Sequence, residues 1–417
     1  MSATDLVDFL NASLTPWHAV AEVRRRLEAA GYRELGEGDA WTLRAGDKVF
    51  VVRAGTTIAA FELGTEAPET GGFHLIGAHT DSPNLRLKPQ PFAVKSSQHV
   101  AGVEPYGGVL LHTWLDRDLI LAGRVFRRGA DRPALIATAP IARVPSLAIH
   151  LDRGVNTDGL KLNPQTQLPP VLGLESGGAL GLANLVPGGG DAIGFDLAFV
   201  DAQPAAIVGA RGEYVMSGRL DNLASCHAAL TALLACEAPG AHTRGVVLYD
   251  HEECGSQSAQ GAQSAFLRDV LARLVHARGG SGVDALPRAT HHSFFVSADM
   301  AHAIHPSYAD KHEPAHAPIF GGGPVIKVNV NQRYATDGES AARFAGWCEA
   351  AGVAFQRFVT RSDLACGSTI GPITAALLGM RTVDVGNPML SMHSAREMCA
   401  AADVPAMIAA LGAFLRN

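Results

Sequence analysis

The pattern of hydrophobic and polar positions changes texture twice along the chain. In the first thirty residues, Leu6, Val7 and Leu10, then Val20, Val23 and Leu27, recur at helical spacing with Pro16 between them. That predicts helices interrupted at the proline. Residues 48–52 and 57–63 read as strands, and residues 73–77 form a short apolar run ending in Gly77, the signature of a buried parallel strand. From about residue 90 to 204 proline and glycine are frequent. Short apolar runs such as 109–111 and 134–137 alternate there with turns, so this stretch reads as a separate β-rich domain. From about residue 208 long periodic segments return: a helix over 220–236, a strand over 245–249, a helix over 258–275, strands over 294–296 and 381–385, and a last helix over 404–415. Helices alternating with strands predict an α/β fold, a mostly parallel sheet flanked by helices. The simplest organisation is one discontinuous α/β domain, 1–90 and 205–417, with a β-rich insertion over 91–204.

Composition narrows the class. Hydrophobic residues make up 47% of the 417, enough for a sizeable core and too many for a disordered chain. No apolar run approaches the ~18 residues of a spanning helix, so no membrane partner is expected. The N-terminus has neither a basic nor an apolar leader region, which makes the cytoplasm the expected location. A net charge of −6 argues against a nucleic-acid partner. The six cysteines include no C-x-x-C pair and read as reduced, buried thiols, Cys254 among them. Seventeen histidines are a surplus that composition alone does not explain.

In an open α/β sheet, ligands bind beyond the carboxyl ends of the strands. His79 and Asp81 follow the strand at 73–77. Asp250, His251, Glu252 and Glu253 follow the strand at 245–249. Asp299 follows the strand at 294–296, His393 follows 381–385 after a short loop, and Asp221 precedes the helix at 222. Five segments are thus expected to deliver histidines and carboxylates to one edge of a single sheet. Such a set suits zinc, and equally manganese or cobalt. His79 and Asp81, two apart, point the same way on an extended chain, so one can bind metal while the other orients it. Of the adjacent Glu252 and Glu253, one can bind metal and the other act as general base. Asp221 is the candidate bridge between two cations. Taken singly, each feature also has a structural explanation: a satisfied pair, a solvated turn or a helix cap.

His312-Glu313-Pro314-Ala315-His316 matches the His-Glu-x-x-His pattern of single-zinc peptidases. That chemistry needs a helix, and Pro314 inside it would cost roughly 3 kcal/mol. A polar loop is the expected structure. No G-x-S-x-G elbow and no phosphate-binding G-x-x-x-x-G-K-[ST] loop occurs.

Taken together, the segments Ile76-Gly77-Ala78-His79-Thr80-Asp81-Ser82-Pro83, Ser217-Gly218-Arg219-Leu220-Asp221-Asn222, His251-Glu252-Glu253, Ser297-Ala298-Asp299-Met300, Pro324-Val325-Ile326-Lys327, Cys366-Gly367-Ser368-Thr369 and Met392-His393-Ser394 resemble the aspartyl aminopeptidase family of dinuclear zinc peptidases. The resemblance runs through the insertion as well, at Tyr106-Gly107-Gly108, Trp114-Leu115-Asp116-Arg117 and Leu147-Ala148-Ile149-His150-Leu151. It implies two zinc ions per subunit, one on His79 and Asp299, the other on Glu253 and His393, with Asp221 bridging. It further implies Glu252 as general base and Asp81 as the residue orienting His79. The implied reaction is removal of an N-terminal Asp or Glu from peptides. The implied assembly is a homododecamer built from dimers through the inserted domain, in which His150 reaches a neighbour's active site. Lys327 is the implied cation for the acidic side chain, and His312 falls in a stretch tied to substrate binding. Cys254 stands where a valine is more usual. Two alternatives share the scaffold: a metallo-aminopeptidase of other preference, and a non-catalytic assembly protein, which would lack a ligand or the base.

Overall fold

The computed structural model describes residues 3–417. A nine-stranded mixed sheet runs through its centre. Its parallel heart is formed, in spatial order, by Thr243–Tyr249, Phe73–His79, Phe294–Ala298 and Arg381–Gly386. Every residue of the first three is buried. Strands covered on both faces are mostly apolar, so they read as near-continuous runs and not as alternations, broken here by buried His74, Arg244 and Ser297. Antiparallel Thr57–Glu62 and Lys48–Arg53 extend one side, and Val325–Val328 with Gln356–Val359 extend the other.

Successive side chains on these strands feed opposite cores, as a two-residue period requires. Ile76, Ala78, Val246, Leu248 and Val296 join the core under helices Ala3–Ala12, Pro16–Ala29, Leu220–Leu234, Gly338–Ala350 and Asp403–Arg416. Phe73, Leu75, Val247 and Phe295 join the core under Phe266–Ala277, Ala285–His291 and Ile370–Leu378. Phe295 is fully buried, and such a side chain contributes on the order of 2–3 kcal/mol. Pro16 is the first residue of its helix, where a missing N–H costs nothing.

A seven-stranded antiparallel sheet forms the β-rich part, from Asn84–Lys95 to Ala192–Asp201. Ala192–Asp201 pairs with both Asn84–Lys95 and Asp118–Arg127, which closes the sheet into a barrel around Leu85, Leu121 and Phe199. A third, five-stranded sheet joins Ala206–Val208, Tyr214–Ser217, Glu397–Ala400, Pro388–Leu390 and Ala301–His302.

That third sheet corrects one expectation. The chemistry-bearing segments do not all leave a single sheet: Asp221 follows Tyr214–Ser217, and His393 follows Pro388–Leu390. After Gly386 the chain passes straight from the large sheet into the small one, which sequence spacing cannot reveal. The helix expected from residue 258 begins only at Phe266. Residues 256–264 fold back on themselves: the Gln263 N–H donates to the Ser256 carbonyl, and a Cβ on Gly261 would stand 2.3 Å from that oxygen. His312 and His316 lie outside any helix, as Pro314 demands.

Candidate metal centre

Strand geometry places the first donors. Phe73–His79 ends on His79, and Tyr249 is its partner on the neighbouring strand. The chain then turns through His251, at φ 63°, into the short 3-10 turn Glu252–Cys254. That reversal swings both glutamates back over the strand ends. Asp299 stands one residue beyond Phe294–Ala298. From the third sheet come Asp221 and His393, the latter at φ 68°.

Their side chains converge. His79 Nε2 lies 3.4 Å from Asp221 Oδ1, 3.7 Å from Asp299 Oδ1 and 3.9 Å from Glu252 Oε2. His393 Nε2 lies 3.5 Å from Asp221 Oδ2 and 3.4 Å from Glu253 Oε2. Asp221 therefore presents one oxygen to each histidine. All six side chains line one cavity of about 640 Å³. Ligand atoms of His79, Asp221 and Glu253 lie within 4.8 Å of one another. Asp221 Oδ1 and Glu253 Oε1 are buried without a hydrogen-bond partner. Buried carboxylate oxygens left so are costly unless a cation satisfies them. Imidazoles and carboxylates in this arrangement fit zinc.

The surroundings set the histidine tautomers. His79 Nδ1 is 3.0 Å from the Asp81 backbone oxygen and 3.4 Å from its Oδ1. His393 Nδ1 is 2.9 Å from the Gly108 carbonyl. A carbonyl only accepts, so each Nδ1 carries a hydrogen, and in the neutral ring Nε2 is the nitrogen left with a lone pair for a cation. Asp81 in turn accepts the Tyr106 hydroxyl at 2.6 Å and the backbone N–H groups of Glu252 and Glu253, both at 3.1 Å. Barrel residues thus touch the centre directly. A Cβ on Gly108 would lie 2.9 Å from His393 Nδ1, so this approach requires glycine.

Charge is concentrated here. Burial opposes a charge on His79, but hydrogen bonds to Asp221, Asp299 and Asp81 hold its pKa well above the ordinary histidine value. Burial likewise works against His393, yet Asp221 raises it to about 9. Burial pushes Glu252 up to about 8, opposed by His79 and reinforced by Asp299 and Asp81. Glu253 is raised by burial and by Asp221.

Lys327 belongs to the same cavity: only 2% exposed, its Nζ lies 3.5 Å from Asp299 Oδ2 and donates to the Met300 carbonyl at 3.2 Å. His312 does not join the donors. It lines an adjoining cavity of about 310 Å³, which shares His302, Tyr334, Gly367 and Met392 with the first. His150 lines neither cavity and is exposed on the barrel. Thr369 caps the helix Ile370–Leu378, its hydroxyl accepting the Gly371 N–H, while Gly367, Ser368 and Thr369 line the main cavity. Cys254 is exposed, contrary to the expected buried thiol. The turn that points Glu252 and Glu253 inward leaves its third residue facing outward. Sequence reasoning assigned no role to Tyr106, Gly108 or Glu397. Apart from the Glu397 contact with His393, four residues earlier, their contacts are made across the fold and leave no local spacing to read.

Comparison with known proteins bears on this geometry. The family model described as "Aminopeptidase I zinc metalloprotease (M18)" matches residues 9–185 and 188–415. The chain is 47% identical over 422 residues to "Probable M18 family aminopeptidase 2" of Pseudomonas aeruginosa (strain UCBPP-PA14), covering 98% of this chain and 96% of that protein. Among solved structures it resembles a chain of the Ape4 and Nbr1 complex, with a TM-score of 0.95 and 39% identity over 100% of this chain and 85% of the other. It also resembles the S. cerevesiae mApe1 dodecamer, with a TM-score of 0.84 and 28% identity over 100% of this chain and 96% of the other.

Proposed function

Because the chain belongs to the M18 family of zinc metalloproteases, and is thereby a metallo-hydrolase of the aminopeptidase type, we propose that it removes an N-terminal Asp or Glu from peptides at a centre of two zinc ions. The observation that carries the dinuclear assignment is Asp221, one oxygen toward each histidine. His79 and Asp299 would hold one ion and Glu253 and His393 the other, with Asp221 shared between them. When bound, the ions supply Lewis-acid activation of a water and of the scissile carbonyl. Glu252 shares the cavity but lies 3.9 Å from His79 Nε2, the longest of these separations, and it is free to take the proton from the attacking water and return it to the leaving amine. Asp81 fixes His79 through Nδ1.

Support for acidic preference comes from Lys327. A buried ammonium has its strongest partner in an anionic side chain, and Lys327 lines the cavity beside Asp299. His312 lines the adjoining cavity, where it would meet more distant parts of the peptide. By analogy with the mApe1 dodecamer, the functional form is a homododecamer; its build from dimers and the part of His150 in a neighbour's site follow from the family resemblance of the sequence.

A panel of Asp-, Glu-, Leu- and Ala-initiated peptides, hydrolysed before and after chelation, tests the assignment. Turnover of the aspartyl and glutamyl peptides should dominate and vanish with the metal. Faster cleavage of leucyl or alanyl peptides would leave the aminopeptidase but overturn the acidic preference.

A further inference from the structure

Glu397 is 2% exposed and does not line the metal cavity, yet it touches two of the residues that do. Its Oε1 accepts the backbone N–H of His393 at 2.7 Å, and its Oε2 accepts the backbone N–H of Asp221 at 3.1 Å. These two donors are the ones the third sheet delivers. Glu397 opens the strand Glu397–Ala400, in register opposite Ser217 at the end of the strand leading to Asp221. The remaining donors are held by other means: His79 by Asp81, Glu253 by its N–H bond to Asp81 Oδ2 at 3.1 Å, and Asp299 by its N–H bond to the Val385 carbonyl at 2.8 Å and by Lys327.

We propose that Glu397 is a positioning residue: its carboxylate clamps the backbones of Asp221 and His393 and so sets the spacing on which the zinc held by His393, Glu253 and Asp221 depends. The assignment rests on the dinuclear reading above. The clamp needs two acceptor oxygens. Glutamine at 397 would keep the shape but offer one acceptor and turn an NH₂ toward the other backbone N–H. Aspartate would keep both acceptors on a shorter stem.

The test compares wild type with Glu397→Gln and Glu397→Asp, measuring zinc stoichiometry and affinity by chelator competition, the melting temperature of the metal-free proteins, and kcat and KM at low and high free zinc. In Glu397→Gln the zinc that would be held by His393, Glu253 and Asp221, with two clamped ligands, should bind at least about tenfold more weakly, and the zinc that shares only Asp221 should be weakened less. Its kcat should fall at low zinc, recover with added zinc, and leave KM within about twofold. Glu397→Asp should hold the second zinc more tightly than Glu397→Gln. Two zinc ions held by Glu397→Gln as in wild type, a loss of metal-free stability with unchanged zinc affinities, or the reverse order of the two variants overturns the proposal. Should wild type itself bind a single zinc, the dinuclear reading fails, and the clamp fails with it.

Discussion

Glu252 and Glu253 are adjacent in the chain, yet they face different neighbours. Glu253 reaches His393 at 3.4 Å, while Glu252 approaches only His79, at 3.9 Å. Glu252→Gln should therefore keep both zinc ions while kcat falls by about 10²–10⁴. Near-normal turnover by that variant would remove Glu252 as the base. A second expectation concerns protons. Without metal, and despite burial, Asp221 holds His393 up at about 9, and Asp221, Asp299 and Asp81 hold His79 well above an ordinary histidine. For His393, a folded pKa raised above the unfolded one means that its stabilisation is complete below about 6.5 and is lost as pH rises through about 9, and His79 acts in the same direction. Zinc needs the neutral imidazoles, so binding releases those protons. The rise in melting temperature on adding zinc should grow from pH 6 to pH 9, by roughly a factor of ten in affinity per pH unit for each proton released. Calorimetry of the metal-free and zinc-loaded protein across that range checks it, and a flat difference would count against protonated histidines in the metal-free site.

Among the elements, strand ends carry the donors, and glycines permit the approach between segments. A Cβ on Gly386 would lie 1.8 Å from the Asp299 carbonyl oxygen. Gly386→Ala must push Asp299 aside, at a cost of about 1–3 kcal/mol, and should lower both the melting temperature and zinc affinity. Gly346 is the contrasting case. It sits within the helix Gly338–Ala350, where an added Cβ meets nothing within 4 Å. Gly346→Ala should stabilise by up to ~1 kcal/mol and leave zinc binding alone. Thermal melts of the two variants separate close approach from simple helix propensity.

For the whole molecule, the exposed barrel loop calls for a partner. Leu147, Ile149 and Leu151 are 63%, 46% and 74% exposed and flank His150. Clustered apolar side chains of this kind mark a contact surface, in accord with the proposed assembly. Leu151→Asp should shift light scattering toward smaller species and reduce activity with them. His150→Ala should leave the assembly intact and lower kcat. Full activity in a monomeric Leu151→Asp would argue against a shared active site.

The sequence by itself determined a good deal. Buried parallel strands announce themselves as near-continuous apolar runs, so 73–77, 245–249 and 294–296 were legible, and with them the positions of His79, Glu252, Glu253 and Asp299 just beyond their ends. Pro314 alone was enough to deny the His312–His316 segment a helix. Other features depended on contacts between segments far apart in the chain. Asp221 and His393 reach the centre from a separate small sheet, because the chain leaves the large sheet after Gly386. Tyr106 and Gly108 come down from the barrel, and Glu397 ties the distant Asp221 backbone to that of nearby His393. Even the outward turn of Cys254 follows from the two glutamates before it pointing in. Periodicity records which residues are buried along one element. Only the packed fold decides which elements meet, because hydrogen bonds between distant backbones impose no spacing on the sequence that makes them.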